Sequence, residues 1–190
     1  NVEVSLETIQ REKPDVVILS TGATPILPNV PGIERSIVVG LHEVLNGDPP
    51  QKKRAVVVGG GATGCEVAHH LAEHGSSVTI VEQLPKIALN LESITRKVLL
   101  KELRERGVRF LTGRKLSKVE ESGVVVTAED GTESFIEAGA VVIAIGNKPD
   151  NRLYEQIQSL GIPLYQIGDC LEPRSAKAAI SEAATIGRSI

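Results

Sequence analysis

The sequence predicts an α/β fold built on a parallel sheet, and three observations support this prediction. Residues 54–58 (RAVVV) form a short β-branched run, which is typical of a strand buried on both faces. A glycine-rich turn, a segment with helical spacing of small and apolar residues, and a second apolar run at 77–81 follow it. Two further buried runs of similar sequence lie at 16–25 and 140–149. Strands that alternate with helices in this way indicate a parallel sheet.

The turn after the first of these strands has the glycine spacing G-x-G-x-x-G. Gly59 would let the chain leave the strand in a tight turn, and Gly61, which has no Cβ, would let a pyrophosphate approach the backbone closely. Gly64 would let the following helix pack against the strand, and the start of that helix offers N–H groups to an anion. The predicted phosphate-binding residues are Gly59, Gly60, Gly61, Ala62, Thr63 and Gly64.

An acidic residue closes the second predicted strand. Glu82 lies 18 residues after Gly64, where a carboxylate can accept hydrogen bonds from a ribose 2′-OH. A 2′-phosphate would be repelled by the like charge, so we expect the site to prefer NAD to NADP. The alternative is a glycine-rich turn that only packs a helix.

The composition argues against several other classes of protein. A hydrophobic content of 41% and a net charge of −3 are ordinary for a soluble globular protein. With four aromatic residues and no long basic run, nucleic acid is not an expected partner. No apolar run or leader pattern predicts membrane insertion or secretion. Cys65 and Cys170 form no redox or metal-ligand motif, so a reducing, cytoplasmic setting is expected. Because the chain begins NVEV and contains no methionine, we expect a piece of a longer protein.

Before the glycine-rich turn, the sequence predicts short elements joined by proline-rich connections. Residues 1–6 alternate apolar and polar side chains, which predicts a half-buried strand, and residues 15–20 predict a buried strand. Residues 38–46 predict a short helix. Residues 47–53 are typical of a linker, and they are the strongest candidate for a domain boundary in the first half of the chain.

A helix is predicted over residues 93–106. Ile94, Val98 and Leu103 recur at helical spacing and mark its expected buried face, and Ser93 can cap its start.

An antiparallel three-stranded meander is predicted further along the chain. Its strands are joined by Ser122-Gly123 and Asp130-Gly131, and Asp-Gly between two alternating runs favours a hairpin. The remaining predicted elements are strands at 108–111, 140–145 and 164–167, a short helix from residue 151 and a helix at 174–190, with meander strands at 115–121, 124–129 and 133–137.

An internal repeat links the two halves of the chain. VVILSTGATP (Val16–Pro25) aligns without gaps to AVVIAIGNKP (Ala140–Pro149), and each copy has a glycine followed three residues later by proline. Two related nucleotide-binding domains, one without its beginning, would explain the repeat. Two unrelated buried strands are the alternative.

In this order the motifs resemble the two-dinucleotide-binding-domain flavoproteins, the pyridine nucleotide–disulfide oxidoreductase superfamily. Ser20-Thr21-Gly22 is similar to the A-T-G motif of the FAD domain, and Gly168-Asp169 to the late motif whose Asp binds the FAD ribityl chain. The stretch from Gly59 to Glu66 is similar to the NAD(P)H fingerprint, including the acid two residues after its last glycine. Ala144-Ile145-Gly146 is similar to the motif that closes that domain. The resemblance therefore implies that Thr21, Gly22, Gly168 and Asp169 contact FAD and that Glu66 and Gly146 belong to the NAD site.

Within the superfamily, the stretch from Glu66 to Glu92 resembles the C-terminal part of 2-enoate and 2,4-dienoyl-CoA reductases and related NADH:flavin oxidoreductases. In that branch the module follows an FMN-bearing barrel with an iron–sulfur cluster. The resemblance implies hydride transfer from NADH to FAD with no side-chain nucleophile or base. The sequence of this chain contains neither the glycine fingerprint of the FAD domain nor a redox cysteine pair. We therefore expect the chain alone to be inactive, and we expect its partner to be the missing N-terminal part of the parent protein.

The predicted architecture is a Rossmann-like three-layer NAD(P)-binding domain with the antiparallel meander, at residues 52–150. Residues 1–51 and 151–190 would form a discontinuous partial FAD-binding domain. A non-redox module that binds ADP or AMP structurally is the alternative from another class. A Rossmann methyltransferase is disfavoured by the repeated Gly-x-x-Pro strands. His70 and His74 are four residues apart and could share a helix face, but the sequence shows no third ligand near them, so a metal site is not predicted.

Overall fold

The computed structural model describes residues 2–47 and 53–190. Packing divides the chain into two compact units. The central unit is continuous and comprises Ile26–Gly146, whereas the terminal unit combines the residues up to Pro25 with Asn147–Ile190.

The described residues form six α-helices, two short 3₁₀ turns and twelve strands. The helices are α1 (Leu6–Glu12), α2 (Leu41–Asn46), α3 (Ala62–Glu73), α4 (Ser93–Glu105), α5 (Arg152–Ile157) and α6 (Ala176–Ile186). The strands are β1 (Val17–Leu19), β2 (Ala23–Pro25), β3 (Val38–Val39), β4 (Arg54–Val58), β5 (Ser77–Glu82), β6 (Arg109–Thr112), β7 (Arg114–Glu120), β8 (Gly123–Ala128), β9 (Glu133–Glu137), β10 (Ala140–Ile143), β11 (Asn147–Pro149) and β12 (Leu164–Gln166).

The central unit is built on a five-stranded parallel sheet. The order across the sheet is β3-β10-β4-β5-β6, and Val56 of β4 pairs with Val141 on one side and with Thr79 on the other. The middle strand is therefore β4. Four of its five residues are buried, as its β-branched run predicts for a strand covered on both faces.

Helices cover one face of this sheet and an antiparallel sheet covers the other. On the first face, Leu71 of α3 and Leu103 of α4 are fully buried in one cluster with Ile80 of β5. On the second face, Val56 packs in a cluster with Val124 of β8. These three layers are those of the predicted Rossmann-like fold.

The antiparallel sheet has the order β7-β8-β9, as predicted. The turn between β8 and β9 uses Asp130, whose Oδ1 accepts a hydrogen bond from the N–H of Thr132 at 2.9 Å. Gly131 adopts φ 82°, a left-handed conformation that glycine adopts without a steric cost. Local turn chemistry therefore sets this hairpin.

The terminal unit has a smaller core. β1 and β12 form a parallel pair in which Ile18 lies beside Tyr165. Ile9 of α1, Leu19 of β1 and Ile157 of α5 are buried in one cluster with Cys170. By contrast, no residue of α6 is buried.

The internal repeat is also a structural repeat. In each copy a strand leads to a glycine with positive φ, at 76° for Gly22 and 119° for Gly146. β10 is buried along its whole length, but the buried strand predicted at 15–20 is only half buried, because Ile18 of β1 is exposed. The short strands after these glycines, β2 and β11, were not predicted. They pair with each other in antiparallel fashion, with Thr24 beside Lys148.

The predicted strand at residues 1–6 is wrong. Ser5 begins α1 instead, because its Oγ accepts the N–H of Thr8 while the Thr8 hydroxyl accepts the N–H of Ser5, which forms a capping box. Val2 and Val4 are exposed. Two local hydrogen bonds thus determine this segment rather than its alternating hydrophobicity.

The predicted buried face of α4 is correct only at Leu103. Ile94 and Val98 are 70% and 53% exposed, and the second buried residue is Leu100. The helix also begins differently, since Glu92 rather than Ser93 caps it. Helical spacing allowed more than one apolar face, and packing against the sheet selected the one around Leu103.

The boundary between the two units differs from the predicted one. Residues 38–46 contain the strand β3 as well as the helix α2, and β3 pairs with β10 at one edge of the five-stranded sheet. Packing therefore groups Ile26–Gly47 with the central unit. Residues 48–52 of the predicted linker lie outside the described residues, and the division into NAD and FAD domains stays a prediction.

Candidate functional site

The glycine-rich turn connects the end of β4 to the start of α3. Gly59 has φ 108°, and a Cβ at this position would lie 2.3 Å from the carbonyl oxygen of Ala144. A Cβ on Gly64 would lie 1.9 Å from the carbonyl oxygen of Gly59. These two glycines thus have the expected structural roles, a tight turn and a close contact between helix and strand.

At Gly61, by contrast, no backbone atom lies within 4 Å of the position that a Cβ would take. A Cβ at this position would approach only the side-chain amide of Asn90, at 3.8 Å, which is an ordinary contact. Gly61 is the N-cap residue of α3, and its carbonyl accepts the first helical hydrogen bond, from Cys65 N–H at 3.0 Å. Thr63 is exposed on the first turn. No backbone atom thus closes this side of Gly61, where the sequence predicts a phosphate, and the Asn90 side chain lies against it.

Glu82 lies at the end of β5 with its carboxylate beside this turn. One oxygen, Oε2, accepts the N–H of Gly60 at 2.6 Å, and Oε1 accepts the N–H of Leu84 at 2.8 Å. The residue is 9% exposed. Each carboxylate oxygen can accept more than one hydrogen bond, so both retain acceptor capacity. Two backbone donors therefore hold a buried carboxylate next to the glycines.

The strand order places these groups at a switch point of the sheet. From β4 the chain crosses by α3 to β5 on one side, whereas β10 lies on the other side of β4. Ligands in open parallel sheets bind outside the carboxyl ends of the strands at such a point. Gly146 follows the carboxyl end of β10, and its carbonyl accepts the N–H of Ile26 at 2.9 Å.

Glu66 lies just beyond the first turn of α3, and its role in the NAD site stays a prediction. No acidic residue occupies the first turn of α3, and Glu66, the fifth residue of the helix, is exposed. Its carboxylate also acts on the neighbouring thiol of Cys65. Burial, and secondly the carboxylate of Glu66, raises the pKa of Cys65 to about 12. Cys65 is fully buried.

The segment 83–91 packs over the glycine-rich turn. Ala88 donates its N–H to the carbonyl of Gly60 at 2.6 Å, and Asn90 Oδ1 accepts the N–H of Ala62 at 3.1 Å. Ile87 is buried, and a Cβ on Gly60 would lie 2.6 Å from its Cδ1. The sequence analysis did not predict this packing, for which the apolar pair at 87–88 was the available signal.

The residues with an implied role toward FAD belong to the terminal unit. Thr21 Oγ1 donates to the carbonyl of Asp150 at 2.8 Å, and the carbonyl of Gly22 accepts the N–H of Asp150 at 3.0 Å. The pKa of the Asp150 carboxyl is lowered by its hydrogen bond from Arg152. These contacts join the end of β1 to the start of α5.

Gly168 and Asp169 form a 3₁₀ turn after β12. Gly168 donates its N–H to Glu182 Oε2 at 2.7 Å, and Asp169 Oδ1 accepts the N–H of Arg174 at 3.2 Å. Arg174 also forms an ion pair with Glu182. The thiol of Cys170 donates to the carbonyl of Leu19 at 3.1 Å. This turn therefore sits between β1 and α6.

Metal-ligand groups and membrane-spanning helices were sought in the described part of the chain. Within residues 2–47 and 53–190, no three His, Cys, Asp or Glu side chains are grouped as metal ligands. No helix in the same ranges has both the length and the apolar character needed to cross a membrane.

The fold and the turn define the chain as a Rossmann-like α/β protein. The family model described as pyridine nucleotide-disulphide oxidoreductase matches residues 2–183. The chain belongs to this family, as the motifs in its sequence predict. It is thus a member of a family of oxidoreductases that use pyridine nucleotides.

Individual relatives agree with this assignment. The chain is 39% identical over 173 residues to an NADH oxidase of Thermoanaerobacter brockii, with 88% of this chain and 27% of the relative covered. It is 32% identical over 166 residues to a bilirubin reductase of Mediterraneibacter gnavus, with 87% and 26% covered. A solved 2-naphthoyl-CoA reductase complex superimposes with a TM-score of 0.91 at 27% identity, over 100% of this chain and 29% of that one. The chain thus spans less than a third of the length of each.

Proposed function

We propose that this chain is the NADH-binding portion of an FAD-linked oxidoreductase, in which the central unit binds NADH. The observation that carries the proposal is the buried carboxylate of Glu82, held beside the glycine-rich turn by the N–H groups of Gly60 and Leu84. An acid in this place, next to a G-x-G-x-x-G turn and at the switch point of a parallel sheet, suits an adenosine ribose.

The glycines of the turn fit a dinucleotide. Gly59 and Gly64 are closed to a side chain by backbone atoms at 2.3 and 1.9 Å, whereas the only atoms within 4 Å of a Cβ on Gly61 belong to the side chain of Asn90. A pyrophosphate lying over Gly61 would reach the N–H groups at the start of α3, where the helix dipole favours an anion. When bound, NADH supplies a hydride and FAD accepts it.

Glu82 would set the preference for NADH over NADPH. Its oxygens already accept one backbone N–H each and can accept the ribose hydroxyls as well. A 2′-phosphate would instead place a second negative charge against the carboxylate. The interaction of like charges at this depth is only partly screened, so NADPH should bind more weakly.

The terminal unit would contribute to an FAD site. We propose that Thr21, Gly22, Gly168 and Asp169 face the flavin, and that the isolated chain does not turn over. The missing N-terminal part of the parent protein would be its partner and would carry the glycine fingerprint for FAD. An FMN and an iron–sulfur cluster, as the resemblance to enoate reductases implies, would also belong to that part.

Calorimetric titration with NADH, NADPH, ADP and FAD tests the proposal. We expect NADH to bind more tightly than NADPH, and Glu82→Gln to reduce this preference by about tenfold, since a charged hydrogen-bond acceptor is lost. Glu133→Gln is the matched control, because Glu133 is an exposed acid of β9 in the same unit. Circular dichroism would verify that both variants fold.

The other outcomes distinguish the alternatives. Equal affinity for ADP and NADH would favour a non-redox module that holds ADP or AMP structurally. Tight binding of FAD by this chain alone would contradict the proposal of an incomplete flavin site. If folded protein binds neither NADH nor ADP, the proposed function is refuted.

A further inference from the structure

The side chain of Asn90 occupies the place where the proposed function requires a phosphate. Its Oδ1 accepts the N–H of Ala62, the first residue of α3, at 3.1 Å. A Cβ built on Gly61 would lie 3.8 Å from both Oδ1 and Nδ2 of Asn90. The carboxamide therefore covers the open side of Gly61 and takes a hydrogen-bond donor from the start of the helix.

The rest of the segment is anchored independently of Asn90. Ala88 donates its N–H to the carbonyl of Gly60 at 2.6 Å, and Arg96 Nε donates to the carbonyl of Ile87 at 2.7 Å. Ile87 and Ala88 are buried, whereas Asn90 is exposed. The Asn90 side chain can thus rotate into solvent while the backbone around it stays in place.

We propose that Asn90 is an internal competitor for the phosphate groups of the nucleotide and so sets the affinity of the site. This inference rests on the proposed function. In the free protein the neutral amide oxygen of Asn90 satisfies the Ala62 N–H. A phosphate oxygen is charged and is the stronger acceptor, so it replaces Asn90, which turns toward solvent. The apparent affinity is reduced by the fraction of molecules in which the helix start is closed.

The competition predicts an order of affinities. Asn90→Ala opens the helix start, so ADP and NADH should bind about three- to tenfold more tightly, which is the fold-change expected from losing one internal hydrogen bond. Asn90→Asp should weaken both by about tenfold, because a carboxylate binds the positive end of the helix dipole and repels the phosphate. Adenosine has no phosphate, and its affinity should change little in either variant.

Leu89→Ala is the matched control for a general loosening of the segment. Leu89 is the exposed neighbour of Asn90, and its loss should leave the affinities for ADP, NADH and adenosine unchanged. All four proteins would be titrated by calorimetry at the same salt concentration.

The amide resonance of Ala62 in a ¹H–¹⁵N spectrum reports the contact without any nucleotide. We expect it to shift in the free Asn90→Ala variant, but not in Leu89→Ala, and to shift in the wild type when ADP is added. An unchanged Ala62 resonance in free Asn90→Ala would refute the contact.

The titrations have separate refuting outcomes. Weaker ADP binding by Asn90→Ala would mean that Asn90 contacts the ligand, and unchanged binding would mean that it does not compete; either result overturns the inference. If none of the folded variants binds ADP or NADH, the proposed function fails and the competition fails with it, although the Ala62 shift would still establish the contact.

Discussion

Replacing Gly64 with alanine should destabilise the central unit strongly. The new Cβ would lie 1.9 Å from the carbonyl oxygen of Gly59 and 3.0 Å from its carbonyl carbon. Backbone atoms cannot rotate away as the end of a side chain does, so α3 would have to move off β4 by about 1 Å. Such a move disturbs the fully buried Cys65 and Leu71, and forced overpacking of this kind costs about 3 kcal/mol.

Gly61→Ala, three residues earlier in the same turn, is the matched comparison. Its Cβ would make only an ordinary 3.8 Å contact with Asn90, and φ −72° suits alanine. The lost N-cap preference and the reduced entropy of the unfolded chain have opposite signs, so the free energy of unfolding should change by less than about 0.5 kcal/mol. Because the methyl group fills the proposed path of the pyrophosphate, ADP affinity should fall by about tenfold or more.

Urea denaturation followed by circular dichroism measures the first effect, and calorimetric titration with ADP measures the second. If Gly64→Ala unfolds at the same urea concentration as the wild type, the close approach of α3 to β4 is not a source of constraint. If Gly61→Ala binds ADP as the wild type does, the phosphate does not lie over this glycine and the proposed site is wrong.

Three further predictions concern other parts of the central unit. Leu103→Ala should lower the free energy of unfolding by about 2–5 kcal/mol, because Leu103 is buried. Ile94→Ala on the same helix should change it by less than about 0.5 kcal/mol, because Ile94 is exposed. Urea denaturation of both variants would test this difference. Cys65 should resist alkylation in the folded protein at about pH 8, because burial raises its pKa to about 12, and mass spectrometry should find it modified only after unfolding. Hydrogen bonds from the Thr95 N–H, the Ser93 hydroxyl and the Ile94 N–H lower the pKa of Glu92 from 4.5. The support that Glu92 gives α4 is therefore present above that pH and is lost as the pH falls below it. The protection of first-turn amides of α4, measured as the exchange rate relative to that of an unstructured peptide at the same pH, should fall on acidification, and Glu92→Ala should remove this pH dependence.

The candidate site could be predicted from the sequence only in part. Gly59, Gly64 and Glu82 lie where their spacing placed them, because a strand, a turn and a helix of fixed geometry separate them by fixed numbers of residues. The spacing could not place Asn90. Its contact with Ala62 spans 28 positions and depends on how Ile87 and Ala88 pack over Gly60, which no local pattern encodes.

Similar limits applied to the fold. The spacing of apolar residues along α4 was compatible with a buried face around Ile94 and Val98. Packing against the sheet buries Leu100 and Leu103 instead. The first residues alternate like a strand, but Ser5 and Thr8 cap a helix there. The strands β2 and β11 have three residues each, too few for a periodic signal, and each exists because the other pairs with it.

The sequence by itself determined the α/β class, the meander, the glycine-rich turn with its terminal acid, and the family, since these depend on local periodicity, turn chemistry and short spacings. Tertiary structure alone decided which helix faces are buried, where the central unit begins, and that Asn90 accepts the N–H of Ala62 at the start of α3. Those features depend on contacts between residues that are distant in the chain, whose energies are set by the packing of whole elements.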